Sequence, residues 1–363
     1  MRIFAEYLVR GDKNMSKKIC SIIGKLLAVI VIAVIVTAAA GCYFYDKSLV
    51  TYEYYSEEGY EIGGVITSSE KITEAEIDWR VGDIQIKCGD KIDGFESGEK
   101  LESDKRMRWK VNDGKLTVRF WRPSYVARIE HSDKDLTVTL PQGIDLKVSC
   151  VAGTVKIDDD IQAGNINLES TSGSVKCDSI FSTGRVSLKS TSGSVNAENI
   201  TAKIIKLKST SGSVKCGNVK AESVDARSTS GSVRLDNIAA DEVKLDCTSG
   251  NIVCKKVEAK EILAQNTSGR ITIDEVSGCT QVEIDATSGD VEIGLNECAS
   301  VIIDAGSGDV TVTLRSGYTV YYHTSSGEFS TTAQFTDKDG RKVFGDGKNS
   351  LEIETSSGNI EIR

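Results

Sequence analysis

A short corner motif recurs down most of this chain every nineteen or twenty residues, and that period limits the fold more than any other feature. Thr-Ser-Gly or a close variant places its glycine at 173, 193, 212, 231, 250, 269, 289, 308, 327 and 358, and Val151-Ala152-Gly153 is a degenerate copy ahead of the first. The surrounding positions repeat as well. Two residues after the glycine stand Val175, Val195, Val214, Val233, Ile252 and their equivalents, and five before it stand Leu168, Leu188, Leu207, Ala226 and Leu245. Between them lie mostly Ser, Lys, Asp, Glu and Asn. Alternation with period two and β-branched enrichment belong to strands. Each repeat therefore reads as two short strands joined at a Ser-Gly corner, where glycine can take a positive φ. Strands at this period with no helical pattern predict an all-β fold, a single-stack parallel β-solenoid of about ten coils rising about 4.8 Å each. Small residues ten before the glycine (Ala163, Ala202, Ala221, Ala240, Ala259, Cys279, Cys298) predict a tight inward corner, with most cysteines acting as compact core residues.

The ends of a solenoid need caps. Residues 77–86 (IDWRVGDIQI) read as a diverged first coil, and residues 100–140 as a strand meander in which 116–120 and 136–140 alternate cleanly. Trp79, Trp109 and Trp121, the only tryptophans, all fall in this region. Between Gly327 and Gly358 the spacing stretches by an insertion of about twelve residues. Phe335 and Phe344 within it are expected to cover the edge of the last coils, with Asp339-Gly340 as a hairpin turn. The expected division is 71–145 cap, 146–327 coils, and 328–363 insertion and last coil.

The first 70 residues are of another kind. Residues 26–45 read LLAVIVIAVIVTAAAGCYFY, without a charge. As a helix this run is roughly 30 Å long, the thickness of a bilayer's hydrocarbon core. Arg2, Arg10, Lys13, Lys17, Lys18 and Lys25 precede it, whereas Asp46, Glu53, Glu57, Glu58, Glu61 and Glu70 follow against Lys47 alone. The positive-inside rule then predicts a single-pass anchor with residues 1–25 cytoplasmic and everything after 45 outside. A cleaved signal peptide shares these features. So does a lipoprotein anchored at Cys42, because Ala39-Ala40-Gly41-Cys42 resembles a lipobox, although leucine is usual at its first position. The aromatics Tyr43, Phe44 and Tyr45 favour the uncleaved helix. Met15 with Ser16-Lys17-Lys18 offers an alternative start. Residues 46–70, polar, acidic and tyrosine-rich, read as a stalk.

The strand Leu136-Thr137-Val138-Thr139-Leu140 followed by Pro141-Gln142-Gly143, the Ser-Gly-x-Val repeats, and Gly345-Asp346-Gly347 leading to Ile353-Glu354-Thr355-Ser356-Ser357-Gly358-Asn359-Ile360 resemble a bacterial family of adhesin-like domains. The resemblance covers residue 71 to the end. It implies a membrane-anchored envelope protein, in some cases linked with envelope stress, and it says little about biochemical activity.

Charge and residue type narrow the function. Lys+Arg 44 against Asp+Glu 53 leaves a net charge of -9, unlike a general nucleic-acid binder. Two histidines and no CxxC pair argue against a zinc ribbon, and no phosphate loop or serine-hydrolase elbow occurs. Carboxylates that an enzyme could use (Glu283, Asp285, Asp290, Glu292, Asp304, Asp309) are expected to form a solvated acidic face, and the glycine-rich calcium repeat is absent. No catalytic residue, cofactor or metal site is assigned. The threonines two before each glycine are expected to bond local backbone or the next coil's hydroxyl rather than to present an ice- or sugar-binding array. His131 is placed in the cap and His323 on an exposed ladder. The candidate ligand site is a basic patch flanking the corner: Lys189, Lys208 and Arg227 four before it, and Lys176, Lys215 and Arg234 three after it. Glu169, Asp178 and Asp225 are near enough to neutralise part of it. The expected function is an adhesin-like binding or scaffold protein of the envelope, with an anionic envelope polymer or a membrane protein as partner. A regulatory envelope-stress component and a carbohydrate-active β-helix enzyme are the alternatives.

Overall fold

The computed structural model describes residues 50–51, 55–98, 101–121, 126–127, 134–338 and 341–363. The apolar run 26–45, the two start sites, Cys42 and His131 lie outside them. None of the described residues is helical, and no helix among them is long and apolar enough to cross a membrane. The chain divides into two units. In the smaller, Val50–Thr51 pairs antiparallel with Val126–Ala127. The larger, Glu57–Arg122 with Asp133–Arg363, is a β-solenoid.

Every coil is a leading strand running into the corner glycine and a trailing strand running out of it. Arg185–Ser190 and Val195–Thr201 are such a pair around Gly193. Leading strands stack parallel on one sheet, with Val186, Ile205 and Val224 in one buried column. Trailing strands stack on the other, with Val195, Val214 and Val233 in register. The inward columns are those the period-two pattern marks, and burying them removes apolar surface from water along the whole stack.

Hydrogen bonds and close backbone approach both shape the corner. Ser190 Oγ donates to the Gly173 carbonyl of the preceding coil at 2.8 Å and accepts from the Gly193 N–H at 2.8 Å. Ser209 and Ser228 repeat the arrangement. A Cβ on Gly212 would lie 2.2 Å from the Gly193 carbonyl oxygen, so only glycine fits there. The expectation of a positive φ holds at Gly269, Gly289 and Gly308, with φ of 152°, 159° and 159°, and is corrected at Gly193, Gly212 and Gly231, where what excludes a side chain is the coil beneath. The threonine expectation shifts by one position. The hydroxyl that ties the corner belongs to the buried serine three before the glycine, and Thr191 and Thr229 are exposed.

Nine coils, with corners at Gly153, Gly173, Gly193, Gly212, Gly231, Gly250, Gly269, Gly289 and Gly308, follow one another in chain order. Then the order breaks. The last strands of the chain, Asn349–Thr355 and Ile360–Ile362, insert between the Gly308 coil and the Gly327 coil. Leu351 pairs with Val301 on one side and Val320 on the other, and Ile360 lies between Val310 and Phe329. The expected order of ten successive coils ending at Gly358 is corrected: the Gly327 coil is outermost. The insertion makes the return possible, because Phe335–Lys338 and Arg341–Phe344 form an antiparallel hairpin that pairs with the outer edge of Tyr318–Thr324. Phe335 and Phe344 do cover that edge, their rings 6.0 Å apart. The Asp339-Gly340 turn lies outside the described residues.

The other end repeats the device. The first coil, Glu74–Val81 with Ile84–Cys88, lies between the Gly153 coil and a layer made of Lys115–Arg119 and Leu136–Leu140. Antiparallel strands Arg108–Asn112 and Ile92–Glu96 lie beyond, followed by Glu61–Ile62 and Val65–Ser68. Residues 61–68, expected as stalk, are thus edge strands of the cap. One buried anchor, Ile66, holds the outer strand, too little apolar content to show as a period. The cap core is aromatic: Trp79 and Phe120 meet edge to face at 4.9 Å, and Trp79 Nε1 donates to the Lys134 carbonyl. Lys134 is itself buried at 1% exposure. Its ammonium donates to the Glu96 carboxylate at 2.5 Å and to the carbonyls of Lys105 and Phe120, and burial pulls its pKa down to about 8.

Candidate functional site

The outward column four before the corner runs, in stack order, Glu169, Lys189, Lys208, Arg227, Asp246, Gln265, Asp285, Asp304, Glu354 and His323. The column three after it runs Lys176, Asn196, Lys215 and Arg234. All six basic residues read from the sequence therefore flank one corner, and they form a strip along the stack. The strip changes sign along the axis, from Lys189–Arg227 to the acids of the later coils.

Pairing divides the six. Arg227 grips Asp225 through two hydrogen bonds of 2.5 and 2.8 Å, and that carboxylate pushes the guanidinium pKa up. Arg234 approaches Asp236 at 3.5 Å and shares it with Lys255 at 2.6 Å. Lys176, Lys189, Lys208 and Lys215 form no ion pair among the described residues. Of the three acids near enough to neutralise the patch, Asp225 does so, whereas Glu169 and Asp178 pair with none of its cations. Repulsion between cations one coil apart is under about 1 kcal/mol in water, so flexible lysines tolerate the stacking. Lys206 belongs to the strip as well: it is exposed, stacks beside Asp225 and forms no ion pair among the described residues. The sequence signal for it was period two, two residues before Lys208 on the same outward face.

The acidic candidates are dispersed. Asp285 and Asp304 stack, Gln265 donates to Asp285 at 2.9 Å, and Arg270 pairs with Asp290 at 2.7 Å. Glu283 faces Ile302 and Glu292 faces Thr311. Among the described residues no group of three or more His, Cys, Asp or Glu side chains could hold a metal ion. His323 is exposed on its ladder, opposite Glu354.

The eight described cysteines are free thiols. Cys177 and Cys216 are separated by Ala197, two coils apart. Cys279 and Cys298 lie in adjoining coils; Cys279 Sγ donates to the Ser277 carbonyl at 3.5 Å and Cys298 Sγ to the Asn296 carbonyl at 3.6 Å, and the neighbouring thiol together with burial raises the Cys279 pKa. The Cys298 N–H donates to the hydroxyl of buried Tyr318 at 3.0 Å.

With this geometry in view, the family model described as Toastrack DUF4097 matches residues 72–237 and again 217–363. The chain belongs to the Toastrack DUF4097 family. The adhesin-like resemblance read from the repeats is borne out in this form. The two Toastrack matches overlap over 217–237, among the middle coils, where one repeat is interchangeable with the next. The Toastrack chain also aligns with a solved structure named a "putative cell adhesion protein" from Clostridium sporogenes, at 15% identity, 82% coverage of this chain, 97% of that one and a TM-score of 0.19. A second, named a "putative adhesin" from Bacteroides fragilis, aligns at 12% identity, 83% and 97% coverage and a TM-score of 0.24. No curated protein matches.

Proposed function

We propose that this Toastrack protein is a membrane-anchored, extracytoplasmic binding protein of the bacterial envelope, and that its basic strip holds an anionic envelope polymer. One observation carries the reading: Lys176, Lys189, Lys208 and Lys215 keep their charges without a carboxylate partner among the described residues, on a chain of net charge -9. Cations repeated at about 4.8 Å along the axis suit a polymer whose phosphates or carboxylates also repeat. The anchor rests on the uncharged run 26–45 and its basic-to-acidic flanks. The strip offers cations and hydroxyls but no base beside a nucleophile, which supports binding rather than turnover.

The test combines location and retention. Protease added to intact spheroplasts should remove residues 46–363, and full protection would refute the outward topology. Replacing Lys189, Lys208 and Lys215 together by glutamine should leave the unfolding midpoint unchanged and abolish retention on purified teichoic acid. Retention by the unaltered protein should fall steeply with salt, because exposed charges are screened. Unchanged retention by the triple variant would overturn the strip as the site.

A further inference from the structure

A second surface lies further along the trailing strands, beyond the basic strip, and its chemistry is different. Six residues after the corner, Asn199, Asn218 and Asn237 stand in register. Their carboxamides form a ladder: Asn218 Nδ2 donates to Asn199 Oδ1 at 2.7 Å, and Asn237 Nδ2 donates to Asn218 Oδ1 at 2.9 Å. Each donor nitrogen in the ladder uses one of its two N–H groups and each acceptor oxygen one of two lone pairs. Asn218 and Asn237 are exposed, so the remaining donors and acceptors face out in parallel at the coil spacing.

Beside this ladder runs a shallow trough of about 520 Å³ that reaches from Phe181 across Thr201 and Lys220 to Glu258. On the far side of the Phe181 ring it meets a second trough of about 390 Å³, lined by Gln162, Ser182 and Thr183. Phe181 itself is 48% exposed. Among the described residues the other exposed large apolar side chains are Ile62, Val65 and Phe95 in the cap and Ile302, Tyr321 and Tyr322 in or beyond the Gly308 coil, so none but this ring lies in the coils from Gly153 to Gly289. Its column is otherwise polar or small: Gln162 precedes it, and Thr201, Lys220 and Ala239 follow.

We propose that the paired troughs bind a linear, uncharged glycan running along the stack, with Phe181 as the platform on which one sugar ring lies. An exposed aromatic face accepts the C–H face of a pyranose, and planar amides meet sugar hydroxyl or acetamido groups with a donor and an acceptor side by side. An extended β-linked hexose chain advances by nearly one coil spacing per sugar, so successive sugars meet equivalent amides. The volumes fall within the range of ligand clefts. Charge separates this surface from the basic strip: the long trough holds Lys220, Lys256 and Glu258, and Lys256 is within 4.0 Å of Glu275, leaving little net field for a polyanion. The inference does not depend on the basic strip's reading.

Isothermal titration of the full chain with chitohexaose and with cellohexaose tests it. At least one should bind, with an affinity insensitive to salt and unaffected by the Lys189, Lys208 and Lys215 glutamine variant. Phe181→Ala should weaken that binding tenfold or more, about 1.4 kcal/mol, and Phe181→Trp, which keeps a platform, should retain it. Neither hexaose binding would overturn the proposal, and so would Phe181→Ala binding as tightly as the unaltered chain.

Discussion

The middle coils and the two ends obey different rules of order. Between Gly153 and Gly308 each coil stacks on the one before it in the chain, held by like residues in like columns. At both ends one coil is slotted out of sequence between two others: residues 74–88 at one end, 349–362 at the other. Simple stacking would leave the first and last coils as open edges, where strands pair with foreign chains or fray. Intercalation gives the first coil and the last strands of the chain partners on both sides and hands the exposed position to segments covered by antiparallel strands. The lesson is that the stack is uniform in its contacts but is closed by long-range pairings at its ends.

The largest effects should come from the buried ladders. Val214→Asp in the middle and Ile353→Asp in the intercalated coil each place an unpaired charge between two apolar neighbours, and each should cost several kcal/mol. Lys215→Asp, one residue on and facing out, should change stability by about 0.5 kcal/mol or less. Urea midpoints measure all three. An Ile353→Asp cost as small as that of Lys215→Asp would refute the intercalation.

Alkaline pH should act on the two regions in opposite directions. Burial raises the thiols of Cys150, Cys216 and Cys254 to about 12, and that of Cys177 upward too. Above about pH 9 the unfolded chain loses these protons while the folded coils keep them, so stability falls with rising pH by about 1.4 kcal/mol per unit for each thiol. Lys134 has the reverse sign. Its folded pKa of about 8 lies below the ordinary lysine value of 10.5, so in that window the unfolded chain binds the extra proton and cap stability rises with pH. Hydrogen exchange on either side of pH 9 should show protection falling in the middle coils and rising around Lys134. Loss in both regions together would refute the opposed signs.

A smaller effect concerns covalent links. Cys279 and Cys298, one coil apart, have Cα atoms about 5 Å apart and within disulfide reach, whereas Cys177 and Cys216 are about 9.6 Å apart and beyond it. Mild oxidation with a small disulfide followed by peptide mass mapping should therefore link only the first pair. A Cys177–Cys216 bridge would contradict the coil register.

What the sequence determined by itself is what repeats locally: the strand period, the inward columns and the outward basic columns. Each is written within one nineteen- or twenty-residue unit and needs no knowledge of which unit lies above it. The stacking order at the ends was decided only in the tertiary structure, because Leu351 presents the same apolar ladder to Val301 as to Val320, and equivalent columns cannot name their neighbour. The reason for the corner glycines is likewise tertiary, since the carbonyl that excludes a side chain belongs to the preceding coil. The pairing of the strip's arginines, by contrast, is local: Asp225 and Asp236 stand two residues from Arg227 and Arg234 on the same strands, and only Lys255 reaches Asp236 from the next coil. Phe181 appears in the sequence as one aromatic residue in a strand, and only the stacking of Gln162 and Thr201 on either side leaves its ring facing an open trough.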